Sequence, residues 1–83
     1  MSHLAVTLLD LRGLKCPMPV LKTRAALRRM PAGAVLEVAT SDPMAVIDVP
    51  NLLRQTGDVL LDQADMAYGT LFRIEKGGSR QQS

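Results

Sequence analysis

Few side chains in this sequence are both reactive and suggestively placed. Cys16 is the one cysteine of the 83-residue chain, within Leu14-Lys15-Cys16-Pro17-Met18-Pro19-Val20-Leu21. Proline is favoured at the first position of a helix, where its missing N–H would be unpaired anyway. With Pro17 there, Cys16 is expected at the N-cap, the usual place of Ser, Thr, Asp or Asn. A thiol caps poorly. A thiolate is an anion, and the free N–H groups and dipole of a helix start favour anions. This predicts a thiol that titrates below its ordinary ~8.5 and is a good nucleophile, with Lys15 adding to the effect. The competing reading is a small buried hydrophobe, as free cysteines often are.

What surrounds the thiol narrows its chemistry. His3 is the sole histidine and lies near the N-terminus. A Cys/His hydrolase needs a base within hydrogen-bond reach of the sulfur. No second cysteine is present, so a Cys-x-x-Cys oxidoreductase, a disulfide framework and a thiolate-rich metal site are all excluded. No cofactor is implied. Met18, Met30, Met44 and Met66 show no recurring spacing and read as core filler rather than a copper site.

The cations gather around the same segment. Arg12, Lys15, Lys22, Arg24, Arg28 and Arg29 lie between Arg12 and Met30 with no acidic residue among them, although the formal net charge is only +2. This is either a docking face for an acidic partner surface or a solvated helix face, with Arg28 and Arg29 complementing the C-terminal dipole. With one Phe and one Tyr, stacking platforms for nucleic acid are lacking, which favours a protein partner over RNA. Asp10 reads as a strand-end carboxylate that makes a local turn or orients Arg12 or Lys15. Asp42 reads as a helix cap, and Asp48 as a second cap before Pro50.

These residues need elements to hold them. Leu4 to Leu11 reads as a strand ended by Gly13. From Pro17 to Met30 the period is helical, with Val20, Thr23, Ala26, Leu27 and Met30 on one face, and Pro31-Ala32-Gly33 stops it. Ala34 to Thr40 alternates as a second strand, with Leu36 and Val38 facing away from Val35 and Glu37. A second helix opens at Asp42-Pro43 and runs to about Gln55 before Gly57. Pro50 is expected to kink or split it. Asp58 to Met66 and Thr70 to Lys76 form a hairpin around Ala67-Tyr68-Gly69. The order βαβαββ with right-handed crossovers gives a two-layer α/β sandwich, four strands with both helices on one face. Strand–Cys16-Pro17-Met18 is echoed by strand–Asp42-Pro43-Met44.

The chain is expected to be one domain, 1–83, with a compact core over about 5–77 and a frayed tail over 78–83. No signal peptide and no segment of the ~18–20 apolar residues that a membrane span needs are visible, so a cytoplasmic protein is expected.

The run Leu9-Asp10-Leu11-Arg12-Gly13-Leu14-Lys15-Cys16-Pro17-Met18-Pro19 resembles the signature of the TusA/SirA-like sulfur-carrier family: Leu-Asp, Gly-Leu, then Cys-Pro-x-Pro. The likeness continues through Met30-Pro31-Ala32-Gly33, Asp42-Pro43 and Asp48-Val49-Pro50 to Ile74-Glu75-Lys76-Gly77. The resemblance implies a mixed four-stranded sheet and a persulfide carried on Cys16. Pro17, Pro19, Asp10 and Lys15 would support it, and Arg12, Lys22, Arg24 and Arg28 would dock partners. The donor would be a cysteine desulfurase or a rhodanese-like protein. The acceptor would serve tRNA 2-thiouridine synthesis, molybdenum-cofactor maturation or sulfur oxidation. Met18 departs from members with an acidic residue there, which alters the surface a partner reads. Sulfur relay is thiolate attack on a persulfide, which one thiol can perform. A monomer with no direct nucleic-acid or membrane contact is expected. The alternative is a non-enzymatic RNA- or protein-binding module.

Overall fold

The computed structural model describes residues 6–77. Leu4, His3 and the expected tail over 78–83 lie outside the described residues. The order is β1 (Val6–Leu11), α1 (Met18–Arg28), β2 (Val35–Thr40), α2 (Ala45–Thr56), β3 (Val59–Met66) and β4 (Gly69–Glu75). The strands form one mixed sheet in the order β1-β2-β4-β3. β1 and β2 are parallel, with Leu11 opposite Thr40, whereas β4 runs antiparallel to both β2 and β3.

Alternation decides which face of the sheet is covered. Leu11, Leu36, Val38, Phe72 and Ile74 point to one side and are buried with Leu27 of α1 and Ala45, Val49 and Leu53 of α2. Both helices therefore lie on that face. The other face carries a Glu37–Arg73 ion pair and exposed apolar residues, among them Val6, Leu8 and Val59. β3 is an edge strand, and its register slips between Leu60 and Asp62, leaving Leu61 as an extra residue. Met66 lies exposed on β3, and Met18 and Met44 protrude from the two loop–helix junctions. Met18, Met44 and Met66 are thus not core filler, whereas Met30 packs against the core.

α1 begins one residue later than the sequence predicts. Pro17 is its cap, Pro19 is in its first turn, and Cys16 precedes the cap. Pro19 is also buried, so it packs as well as starts the helix. α2 runs unbroken through Pro50. An interior proline costs about 3 kcal/mol. Burial of Val49, Leu52 and Leu53, at roughly 1.5–3 kcal/mol each, outweighs it. The carbonyl that Pro50 leaves unpaired belongs to exposed Val46 and can be hydrated. Gly57 ends α2 at φ 83°, its N–H donating to the Leu53 carbonyl at 2.9 Å. That left-handed cap is the helix stop expected from the sequence. At the hairpin, Gly69 has φ 149°, and a Cβ there would collide with the Thr40 carbonyl oxygen.

Candidate functional site

Parallel pairing of β1 and β2 puts the loops that follow them at one end of the sheet, the end where α/β folds place sites. The two loops are tied together. The Gly13 N–H donates to Ser41 Oγ at 2.8 Å and the Cys16 N–H to Asp42 Oδ2 at 2.6 Å. The other Asp42 oxygen accepts the Met44 N–H at 3.1 Å. α2 starts at Ala45 with Met44 at its cap and no side-chain cap, so Asp42 is not the helix cap the sequence predicts; its carboxylate holds the turn before α2 and clamps the Cys16 backbone. The Cys16–Pro17 peptide bond is cis.

Cys16 is exposed, so it is not the small core residue of the competing reading. Its thiol donates to Asp48 Oδ2 at 3.3 Å. The hydrogen bond to Asp48 pushes the thiol pKa up, and partial desolvation by its neighbours and the charges of Asp48 and Asp42 push the same way. This reverses the expectation of a depressed pKa. The helix that was to stabilise a thiolate begins beyond Pro17, and the sulfur meets a carboxylate from α2. Asp48 therefore touches the thiol instead of recapping the helix before Pro50.

Asp10 and Arg12 form a local unit away from the sulfur. Arg12 donates to Asp10 through its backbone N–H at 3.1 Å and its side chain at 2.9 Å, which holds the Asp10 carboxyl down at about 2. The Arg12 guanidinium also stacks over the Tyr68 ring, 5.1 Å from its centroid. Asp10 thus orients Arg12, not Lys15. Lys15 is exposed beside Cys16.

A groove of about 330 Å³ opens beside Cys16 between the helices, lined by Pro17, Val20, Arg24, Asp48 and Gln55 among others. It adjoins a second hollow of about 450 Å³ that shares Arg24, Leu52 and Gln55 and adds Arg28 and Lys76. The expected docking cations are therefore divided. Arg24 lines the groove and Arg28 the hollow that adjoins it, Lys22 flanks a separate hollow with Met18 and Leu21, and Arg12 is held by Asp10. Met18 and Leu21 on α1, Met44 at the cap of α2 and Ile47 on α2 are exposed near the thiol's end of the helices.

Sequence reasoning missed the Ser41 and Asp42 clamps and the Asp48 contact. The echo of Cys16-Pro17-Met18 in Asp42-Pro43-Met44 was the available signal, because parallel neighbours bring equivalent loops together. Among the described residues no group of three or more His, Cys, Asp or Glu is placed to hold a metal ion, and no helix is long and apolar enough to cross a membrane.

Fold and site together define a class: a two-layer α/β sandwich presenting one exposed thiol where two loop–helix junctions meet. Within that class, the chain belongs to the family described as Sulfurtransferase TusA, whose profile matches residues 7–76. The sulfur carrier protein TusA of Allochromatium vinosum is 37% identical over 68 residues, 82% of this chain and 90% of its own. TusA of Pseudomonas putida is 36% identical over 69 residues, 83% of this chain and 86% of its own. A SirA-like protein of Desulfitobacterium hafniense shares the fold, with a TM-score of 0.74 at 22% identity, over 87% of this chain and 99% of that one.

Proposed function

We propose that this protein is a sulfur carrier that takes a sulfane sulfur onto Cys16 as a persulfide and hands it to an acceptor protein. The observation that carries this reading is the exposed Cys16 thiol at the mouth of the interhelical groove. The transfer is an exchange: Cys16 sulfur bonds to the outer sulfur of a donor persulfide, the donor S–S bond breaks, and the donor leaves as a thiol. A cysteine desulfurase or a rhodanese-like protein supplies such a sulfur. Arg24 in the groove and Arg28 in the hollow that adjoins it, with the exposed Met18, Leu21, Met44 and Ile47, suit a protein surface with apolar anchors and acidic groups.

The test is incubation with a cysteine desulfurase and L-cysteine. Mass spectrometry should find one added sulfur on Cys16, removable by a reductant and absent from Cys16→Ser. An unmodified Cys16 would overturn the reading. Onward transfer to a tRNA-thiolating, molybdenum-cofactor or sulfur-oxidising acceptor would then assign the pathway. A Cys16→Ser protein that keeps full cellular activity would instead favour the RNA- or protein-binding module.

A further inference from the structure

The groups around the sulfur raise a question that the carrier role leaves open. A carrier must attack as a thiolate, yet the side chain touching Cys16 Sγ is the half-buried carboxylate of Asp48. Asp42, also half-buried, sits against the Cys16 backbone. The ion pairs among the described residues are Arg12–Asp10 and Arg73–Glu37. Neither Asp42 nor Asp48 therefore has a cation within 4.0 Å there. From α1, Arg24 lines the same groove, and Lys15 adjoins Cys16 in the loop. Neither pairs with the sulfur's carboxylate neighbours. The two carboxylates also differ. Asp42 uses both oxygens on backbone N–H groups, whereas Asp48 Oδ2 has the thiol as its hydrogen-bond partner.

We propose that Asp48 is a specificity-determining positioning residue: it holds the Cys16 thiol protonated in the free protein and yields it when a donor protein sets a cationic side chain on the Asp48 carboxylate. This rests on the carrier reading for its purpose. Ion pairing removes the anion that opposes a thiolate and the acceptor that holds the S–H. The proton goes to water as Cys16 ionises. Cys16 sulfur then bonds to the outer sulfur of the donor persulfide, the donor S–S bond breaks, and the departing donor thiolate takes up a proton. Cys16–SH and R–S–SH become Cys16–S–SH and R–SH, with no net oxidation. Adventitious electrophiles and oxidants that bring no such cation meet a thiol instead of a thiolate.

The test compares wild type, Asp48→Asn and Asp48→Glu by the pH profile of iodoacetamide alkylation, with circular dichroism as a control for folding. A lowering of one pKa unit raises the thiolate fraction about tenfold well below the pKa, while intrinsic nucleophilicity falls about threefold. Asp48→Asn should therefore alkylate roughly threefold faster at pH 7 and reach a high-pH plateau roughly threefold lower. Asp48→Glu should move back toward the wild-type profile. A loss of packing alone would not produce opposite changes at the two ends of one profile. Inorganic polysulfide should load Asp48→Asn faster than wild type, whereas a cysteine desulfurase with L-cysteine should load it more slowly. An unchanged or upward-shifted profile in Asp48→Asn overturns the hold on the thiol. Equal loading of both proteins by the desulfurase overturns the partner's cation. If neither donor loads either protein while the profiles shift as stated, the carrier reading fails and the hold by Asp48 stands.

Discussion

At the scale of single residues, the balance around Cys16 is set by what touches the sulfur. A helix start favours an anion over its first turn, but Asp48 contacts the thiol directly and opposes one. Because the folded pKa is raised, the resulting contribution to stability is complete below the ordinary thiol pKa. It fades as pH rises through the folded value. Unfolding followed from pH 7 to 10 should show a downward trend in wild type that is weaker in Cys16→Ser. Asp10 behaves in the opposite sense. Its carboxyl is depressed to about 2 by Arg12, so its contribution is present above the ordinary carboxylate range and is lost as pH falls through about 2. Carboxyl NMR should place the Asp10 titration near pH 2, and Arg12→Ala should move it up. The sequence made Cys16 conspicuous, since one cysteine before a proline needs no tertiary information. The pairing with Asp48 was invisible, since 32 residues separate the two and only the packed loops bring them together.

Elements were legible where local chemistry punctuates the chain. Pro17 and Pro19 open α1, Gly57 closes α2, and the Ala67-Tyr68 turn sits between β3 and β4, because these signals act over a few residues. The slip at Leu61 and the passage of α2 through Pro50 depend on partners remote in sequence, and local signals do not carry them. Gly69 combines the two cases. It reads locally as a turn residue, yet its requirement comes from Thr40 on β2. Gly69→Ala should cost ~2 kcal/mol or more by urea denaturation, from a left-handed backbone and a clash with main chain that cannot move aside. Within α1, the fully buried Thr23 hydroxyl has no hydrogen-bond partner among the described residues. Thr23→Val keeps the shape and removes an unpaired polar atom, and should raise stability by about 1 kcal/mol in the same assay.

On the scale of the whole molecule, the sheet fixes one end for the thiol, and the helices extend a groove away from it. Arg24 lines that groove together with Cys16 and Asp48, and Arg28 lines the hollow that adjoins it, away from the sulfur. The variant Arg28→Glu should slow loading from a cysteine desulfurase several-fold while leaving polysulfide loading and the alkylation profile unchanged, since exposed charge away from the sulfur steers association more than it alters local chemistry. Lys22→Glu, on another side of α1, should change loading little. Stopped-flow loading at two salt concentrations separates these effects, because steering weakens as salt screens it.

The stitches from Cys16 to Asp42 and Asp48 span 26 and 32 residues. They exist only when β1, α1, β2 and the start of α2 are assembled. Because Cys16 is exposed in the native state, tertiary order rather than shielding restrains its sulfur. A chain still emerging from a ribosome, or one melting under heat, carries the same thiol with an ordinary pKa. Cys16 should therefore label faster at neutral pH as denaturant is added, tracking the loss of global structure. Reactivity toward an alkylating probe becomes a clock for folding, and immature or damaged copies are the ones most exposed to oxidation.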